Sequence, residues 1–104
     1  MAQENVSPLP QPAKLAENQG IIVGKITAVS QPRDSEYQYF TISGKAHDEY
    51  TLPPVVQVSQ DASERPMGRE GDIVKVLVNL RGYPRKSGGN TYITNVFQFV
   101  QLLA

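Results

Sequence analysis

The strictest constraint on the fold of this chain is a two-residue alternation of apolar and polar side chains that recurs after Gly20. It is clearest in residues 73–83 (IVKVLVNLRGY), where one face carries Val74, Val76, Val78 and Leu80. Side chains of a strand alternate between faces with a period of two, whereas a helical face repeats every 3.6 residues. β-branched and aromatic residues also dominate this part of the chain, as is typical of strands. The chain after Gly20 is therefore predicted to be almost entirely β.

Five strands follow from this pattern and from the turn residues between them. They are predicted at residues 21–29, 36–43, 50–58, 73–83 and 92–103. Gly24 interrupts the first strand and permits a bulge or a sharp coil. Pro53 and Pro54 cannot donate to a ladder, so the third strand is expected to be an edge strand or to be split. Residues 84–91 (PRKSGGNT) are expected to form a long, mobile hairpin tip.

The strand count and the chain length together limit the architecture. The chain has 104 residues, which suits one small domain. The prediction is all-β: a five-stranded OB-fold barrel over residues 20–104, with a long hairpin between its last two strands. An SH3-like barrel has five similar strands in another order, so strand spacing leaves it open. Residues 1–19 hold Pro8, Pro10 and Pro12 and are predicted to be a flexible arm, with a partner-binding polyproline strip as the alternative.

The charges are unevenly distributed although the formal net charge is zero. Residues 1–72 contain six basic and all ten acidic residues, which sum to −4, whereas residues 73–104 contain four basic residues and no acid, which sum to +4. Charge asymmetry of this kind points to an anionic partner.

Several classes of protein are disfavoured by what the sequence lacks. It has no Cys and one His, so a metal site is not expected, and His47 is interpreted as a surface loop residue. Neither a phosphate-binding loop nor a nucleophile motif occurs, so no enzyme activity and no cofactor are predicted. The apolar runs are too short to span a membrane, and the N-terminus does not read as a secretory signal. The expected location is the cytoplasm.

Residues 80–100 (LRGYPRKSGGNTYITNVFQFV) resemble the fourth strand, connecting hairpin and fifth strand of small single-strand-binding OB proteins. Bacterial single-stranded DNA-binding proteins have a similar basic strand end, glycine-containing loop and Tyr-x-Thr-x-x-Val return. The segments DEYTLPPVVQV and GDIVKVLVNL resemble the middle of filamentous-phage helix-destabilising proteins. Primosomal replication protein N is similar in size and strand plan.

Two departures from the cellular single-strand binders favour the comparison with phage or plasmid proteins. The first strand lacks the acid and Asn found after the glycine in those proteins, and no acidic tail follows Val100. Recruitment of repair enzymes through such a tail is therefore not implied. The resemblance implies binding of single-stranded DNA, with RNA as a further possible ligand.

Aromatic and cationic side chains on the predicted outer surface suit this ligand, because unpaired bases offer flat faces and the backbone offers phosphates. The second strand contributes Tyr37 and Tyr39. The fourth strand contributes Lys75, Arg81 and Tyr83. If both strands neighbour the first strand, these groups share one concave surface. Four further candidates lie in or beside the connections: Arg33, Arg85, Lys86 and Tyr92.

Each candidate residue also has a purely structural explanation. Strand tyrosines pack across strands, Arg85 and Lys86 are typical solvated hairpin residues, and Lys75 suits a strand edge. The predicted function is nevertheless a single-stranded DNA-binding protein that coats or protects unpaired DNA during replication without strong sequence preference. Few phosphate contacts per subunit predict modest affinity, so a homodimer is expected. The alternative is an OB-fold adaptor that binds proteins in a replication or primosome complex.

Overall fold

The computed structural model describes residues 14–104, so the part of the predicted arm at residues 1–13 lies outside the described residues. The strands are β1 (Gln19–Ser30), β2 (Tyr37–Ser43), β3 (Val55–Asp61), β4 (Ile73–Ser87) and β5 (Asn90–Leu102). No helix occurs within residues 14–104. Residues 14–104 therefore contain no helix that is long and apolar enough to cross a membrane.

The five strands close into a ring in the order β1-β2-β3-β5-β4, and β1 pairs with β4 to complete it. All neighbouring strands are antiparallel except β3 and β5, which run parallel. This is the five-stranded Greek-key arrangement of the OB fold. The prediction is confirmed, and the SH3-like alternative is excluded because its strand order differs.

The barrel interior is filled by the side chains that the alternation assigned to it. Phe40 and Ile42 of β2 and the even-numbered valines of β4 are buried. Leu80 shares their face but is 41% exposed, because β4 leaves the barrel at that point. The same alternation puts Leu77 on the opposite face of the strand from these valines, yet it is only 5% exposed. The main apolar cluster consists of Ile26, Phe40, Ile42, Val58, Met67, Val74, Val76, Val78 and Leu102.

Gly24 allows β1 to pair with two different strands. The first half of β1, up to Lys25, pairs with β4, and the second half, from Lys25 onward, pairs with β2. A β-carbon on Gly24 would collide with the Ser43 carbonyl oxygen and the Ile42 side chain. The glycine is therefore required where β1 coils from one neighbour to the other, as its position in the sequence suggested.

The third strand differs from its prediction at both ends. It begins at Val55, after Pro53 and Pro54, and continues to Asp61. The expectation of an edge or split strand is wrong, because β3 pairs with β2 along its whole length and with β5 at Val58 and Ser59. The two prolines precede the ladder and so cost it no hydrogen bond.

The segment between β3 and β4 closes one end of the barrel without a helix. Met67 is fully buried, and its N–H donates to Gln60 Oε1 at 2.9 Å. Gln60 Nε2 donates to the Arg65 carbonyl at 2.7 Å, so one buried amide holds both sides of the loop. The loop begins with a turn in which Asp61 Oδ1 accepts hydrogen bonds from the backbone N–H and the hydroxyl of Ser63.

The β4–β5 connection is much shorter than predicted. β4 runs to Ser87 and β5 starts at Asn90, so Gly88 and Gly89 alone form the turn, with φ of 58° and 83°. Two positive φ values match the type I′ turn of tight hairpins. The mobile tip expected at residues 84–91 is instead a two-stranded ribbon, and Pro84 is accommodated because this part of β4 pairs only with β5. We call residues 81–96, which extend beyond the barrel, the ribbon.

Candidate nucleic-acid interface

A row of outward-facing residues crosses the sheet from β2 to β4. Tyr39 is opposite Ser59, Ser59 is opposite Gln98, and Gln98 is opposite Asn79. Directly opposed residues of neighbouring strands share a face, and the strands lie about 4.8 Å apart. The small Ser59 side chain leaves a depression in the middle of this row, and its hydroxyl donates to the Phe97 carbonyl at 3.3 Å.

Three of the predicted tyrosines surround that depression. We call it the tyrosine cavity; it measures about 290 Å³ and is lined by Tyr37, Tyr39, Ser59, Tyr83, Val96 and Gln98. Tyr37 and Tyr83 are 40% and 42% exposed, so their rings are accessible from solvent. Gln98 Nε2 donates to Tyr83 Oη at 2.8 Å, which anchors the Tyr83 side chain against β5.

The strands that lie between the tyrosines of β2 and β4 are not the ones expected. The expected surface joined β2 and β4 through β1, whereas the cavity spans β3 and β5, which lie between β2 and β4 on the other side of the ring. The alternation along the last strand puts Val96 and Gln98 on its outer face, but neither was a predicted site residue. Ser59 was not predicted either, because the predicted third strand ended at Val58.

The ribbon carries the other candidates on its two faces. Arg81 is opposite Val96, a residue of the tyrosine cavity, and Arg85 is opposite Tyr92. Alternation therefore puts Arg81, Arg85 and Tyr92 on the cavity face of the ribbon. Lys86 follows Arg85 and lies on the reverse face, opposite Thr91. The side chains of these four candidates, Arg81, Arg85, Lys86 and Tyr92, are all exposed.

Two predicted residues, Lys75 and Arg33, lie on neither the tyrosine cavity nor the ribbon. Lys75 is opposite Val23 on the β1 side of β4, eight residues before Tyr83, a separation of up to about 26 Å along a strand. It is only half-buried, so its charge still reaches solvent. Arg33 is an exposed residue of the turn between β1 and β2, where Ser35 N–H donates to the Pro32 carbonyl at 3.0 Å.

The charges beside the cavity differ between its two sides. Asp61 is opposite Tyr37 on the β2–β3 side, whereas Arg81 and Arg85 lie on the ribbon side. Hydrogen bonds from the Ser63 backbone and hydroxyl lower the pKa of Asp61 below its ordinary value of 3.8. The Asp61 carboxylate is therefore ionised at neutral pH. An anion at this surface is attracted to the ribbon and repelled from the Asp61 side.

This geometry has two chemical capacities. Aromatic rings around an open depression can stack flat, uncharged groups, and guanidinium groups on an adjoining strand can bind phosphates. Among residues 14–104, no group of three or more His, Asp or Glu side chains is arranged to hold a metal ion.

The closed ring of five strands and its outer face are those of a small OB-fold domain. No protein-family model matches the chain, and no curated protein matches it either. Among solved structures, the mitochondrial single-stranded DNA-binding protein Rim1 of S. cerevisiae is similar with a TM-score of 0.62 at 14% identity, covering 85% of this chain and 94% of that one. A second structure of the same yeast protein has a TM-score of 0.60 at 14% identity, with the same coverage.

A small single-stranded DNA-binding protein from Mycoplasma pneumoniae is also similar. Its TM-score is 0.59 at 10% identity, and the match covers 86% of this chain and 94% of that one. The resemblance stated from the sequence is thus confirmed in structure: the chain has the OB fold seen in small single-stranded DNA-binding proteins. At such low identity the likeness concerns the fold, and the site depends on this chain's own residues.

Proposed function

We propose that this protein binds single-stranded DNA, with bases stacked in the tyrosine cavity and phosphates held by the ribbon. The observation that carries the proposal is that Tyr37, Tyr39 and Tyr83, from strands far apart in sequence, line one open cavity. Stacking on an aromatic ring contributes about 1–3 kcal/mol per base and tolerates every base. Binding without strong sequence preference follows from this tolerance. The role that we propose for such binding is to coat or protect unpaired DNA during replication.

The charge distribution orients the bound strand. Phosphates lie along Arg81 and Arg85 on the ribbon, and the bases point across β5 toward β2. Asp61 disfavours the reverse orientation, because it would bring phosphates next to a carboxylate. Tyr92, opposite Arg85, extends the aromatic surface along the ribbon. Arg33, Lys75 and Lys86 add positive charge outside the cavity.

A titration of fluorescently labelled oligo-dT at low and at high salt tests this function. We expect quenching of tyrosine fluorescence and an affinity that falls with salt, because displaced counterions make phosphate binding salt-dependent. Double-stranded DNA of equal length should compete poorly, since its bases are not free to stack. Equal competition by duplex, or no binding at all, would refute the proposal. Light scattering on the free protein and on the complex tests the proposed homodimer.

One observation favours the alternative function, a protein-interaction adaptor. Tyr50 and Leu52, in the connection between β2 and β3, are 87% and 88% exposed and do not line the tyrosine cavity. Large exposed side chains of this kind are typical anchors of protein interfaces. If oligo-dT neither quenches tyrosine fluorescence nor shows a salt-dependent shift, the adaptor function is the one that remains.

A further inference from the structure

A second depression lies where β3 and β5 separate. The two strands pair only at Val58 with Phe97 and at Ser59 with Gln98. Continuing the same parallel register would pair Gln57 with Val96, but the strands diverge there. We call the space between them the divergence groove; it measures about 560 Å³ and is lined by Tyr39, Val55, Val56, Gln57, Ser59, Thr94, Asn95, Val96 and Phe97.

The divergence groove combines an apolar floor with a polar rim. Val56 and Phe97 are partly buried against the core and form the floor. The rim residues Gln57, Thr94 and Asn95 are exposed. Because the ladder opens here, backbone groups on the facing edges of β3 and β5 also have no partner across the groove. Every residue that lines the groove is uncharged.

This combination suits an inserted nucleobase better than a phosphate. A base has an apolar face that the floor covers, and its edge carries donors and acceptors that amides satisfy. A phosphate would find no cation among the lining residues. An added peptide strand needs a continuous row of free backbone groups. Here β3 is already paired again at Val58, one residue beyond Gln57.

The divergence groove is continuous with the tyrosine cavity, because Tyr39, Ser59 and Val96 line both. We infer that it is a second nucleotide subsite, which takes an unpaired base of the strand held in the tyrosine cavity. The side chain of Gln57 bonds the base edge, and Tyr39 separates the two bases. This inference rests on the proposed function and extends it, since it adds hydrogen bonding to stacking.

Gln57→Ala tests the inference, because Gln57 is an exposed side chain on the outer face of β3 and its removal leaves the core intact. The matched control is Gln101→Ala, which removes the same side chain from β5 at a position opposite Leu77, outside both depressions. Both variants are titrated with oligo-dT lengthened one nucleotide at a time. A lost hydrogen bond corresponds to roughly a three- to tenfold weaker affinity.

We expect the affinity of Gln57→Ala to fall roughly three- to tenfold only for oligonucleotides long enough to enter the divergence groove. Gln101→Ala should bind oligonucleotides of every length as tightly as the unchanged protein does. As a direct readout, oligo-dT carrying one 4-thiothymidine should photocross-link to peptides containing residues 55–57 or 94–97.

The possible failures are distinguishable. If the unchanged protein binds no oligonucleotide, the proposed function itself is wrong. If it binds normally, while Gln57→Ala matches it at every length and no cross-link maps to those peptides, only the subsite is refuted. A groove occupied by a peptide segment of another protein would give this second result.

Discussion

At the scale of single residues, the position of each tyrosine in the fold decides whether it lines a candidate binding surface. Tyr39 lines both the tyrosine cavity and the divergence groove, whereas Tyr50 is almost fully exposed in a connection. A structural role in cross-strand packing was the competing explanation for each strand tyrosine. The 42% exposure of Tyr83 leaves much of its surface free for a ligand.

Replacing Tyr39 separates stacking from packing. Tyr39→Ala is expected to weaken oligo-dT binding roughly 5- to 150-fold, the equivalent of about 1–3 kcal/mol per stacked base, at low and high salt alike. Tyr50→Ala, the matched control, should leave affinity unchanged. The measurement is a fluorescence titration at two salt concentrations. Equal losses in the two variants would contradict the assignment of Tyr39.

Asp61 is the residue whose removal should strengthen binding. Asp61→Asn removes the negative charge beside Tyr37 and keeps an oxygen that can accept from Ser63. We expect affinity for oligo-dT to rise about two- to fivefold at low salt, and the gain to shrink as salt screens the charge. Weaker binding by this variant at low salt would show that the bound phosphates do not avoid this side.

The same residue has a consequence for stability. Hydrogen bonds from Ser63 lower the pKa of Asp61 in the folded state, so the ionised carboxylate stabilises the fold at pH values above its ordinary pKa of 3.8. This stabilisation is lost as the pH falls through the folded-state pKa.

At the scale of elements, the ribbon depends on the side-chain alternation and on a two-residue turn. Because Gly88 and Gly89 form the whole turn, the strands extend further than expected, and each basic residue near the tip is assigned to a definite face. Arg85 lies on the cavity face and Lys86 on the reverse face. Had these residues been in a mobile loop, either one would reach the ligand equally well.

The two neighbouring cations give a matched pair for a test of this assignment. Arg85→Ala is expected to reduce the magnitude of the log–log salt slope of binding by about 0.7, the value for one lost phosphate contact on a single strand. Lys86→Ala should change the slope less. The slope is measured from affinities at several salt concentrations. Identical effects of the two substitutions would favour a mobile tip over an ordered ribbon.

At the scale of the whole molecule, the loop between β3 and β4 covers one end of the barrel and buries the Met67 side chain there. Met67 is fully buried in the main apolar cluster, and the buried Gln60 amide holds the loop that carries it. A loop in place of a helix is sufficient because one long, flexible thioether side chain fills irregular space well. Burial of this kind contributes to the stability of a small core, where each apolar side chain is a large fraction of the total.

Met67→Ala is therefore expected to lower the free energy of unfolding by about 2–5 kcal/mol, the usual cost of truncating a buried methionine. Leu52→Ala, at a position 88% exposed, should change it by less than about 0.5 kcal/mol. Urea denaturation followed by circular dichroism measures both. A cost for Met67→Ala as small as that for Leu52→Ala would mean that the loop does not close the barrel in solution.

Alternation did not assign the buried Leu77 and Met67 to the core. The sequence alone nevertheless determined most of the core-facing side chains, because alternation along a strand is a local property of the backbone. It therefore predicted the buried face of β4, the outward tyrosines of β2 and the glycine at the coil of β1. Only the tertiary structure decided which outward residues meet. Tyr39 reaches the same cavity as Tyr83 through β3 and β5, and the register between distant strands is set by closure of the ring, which no local pattern encodes.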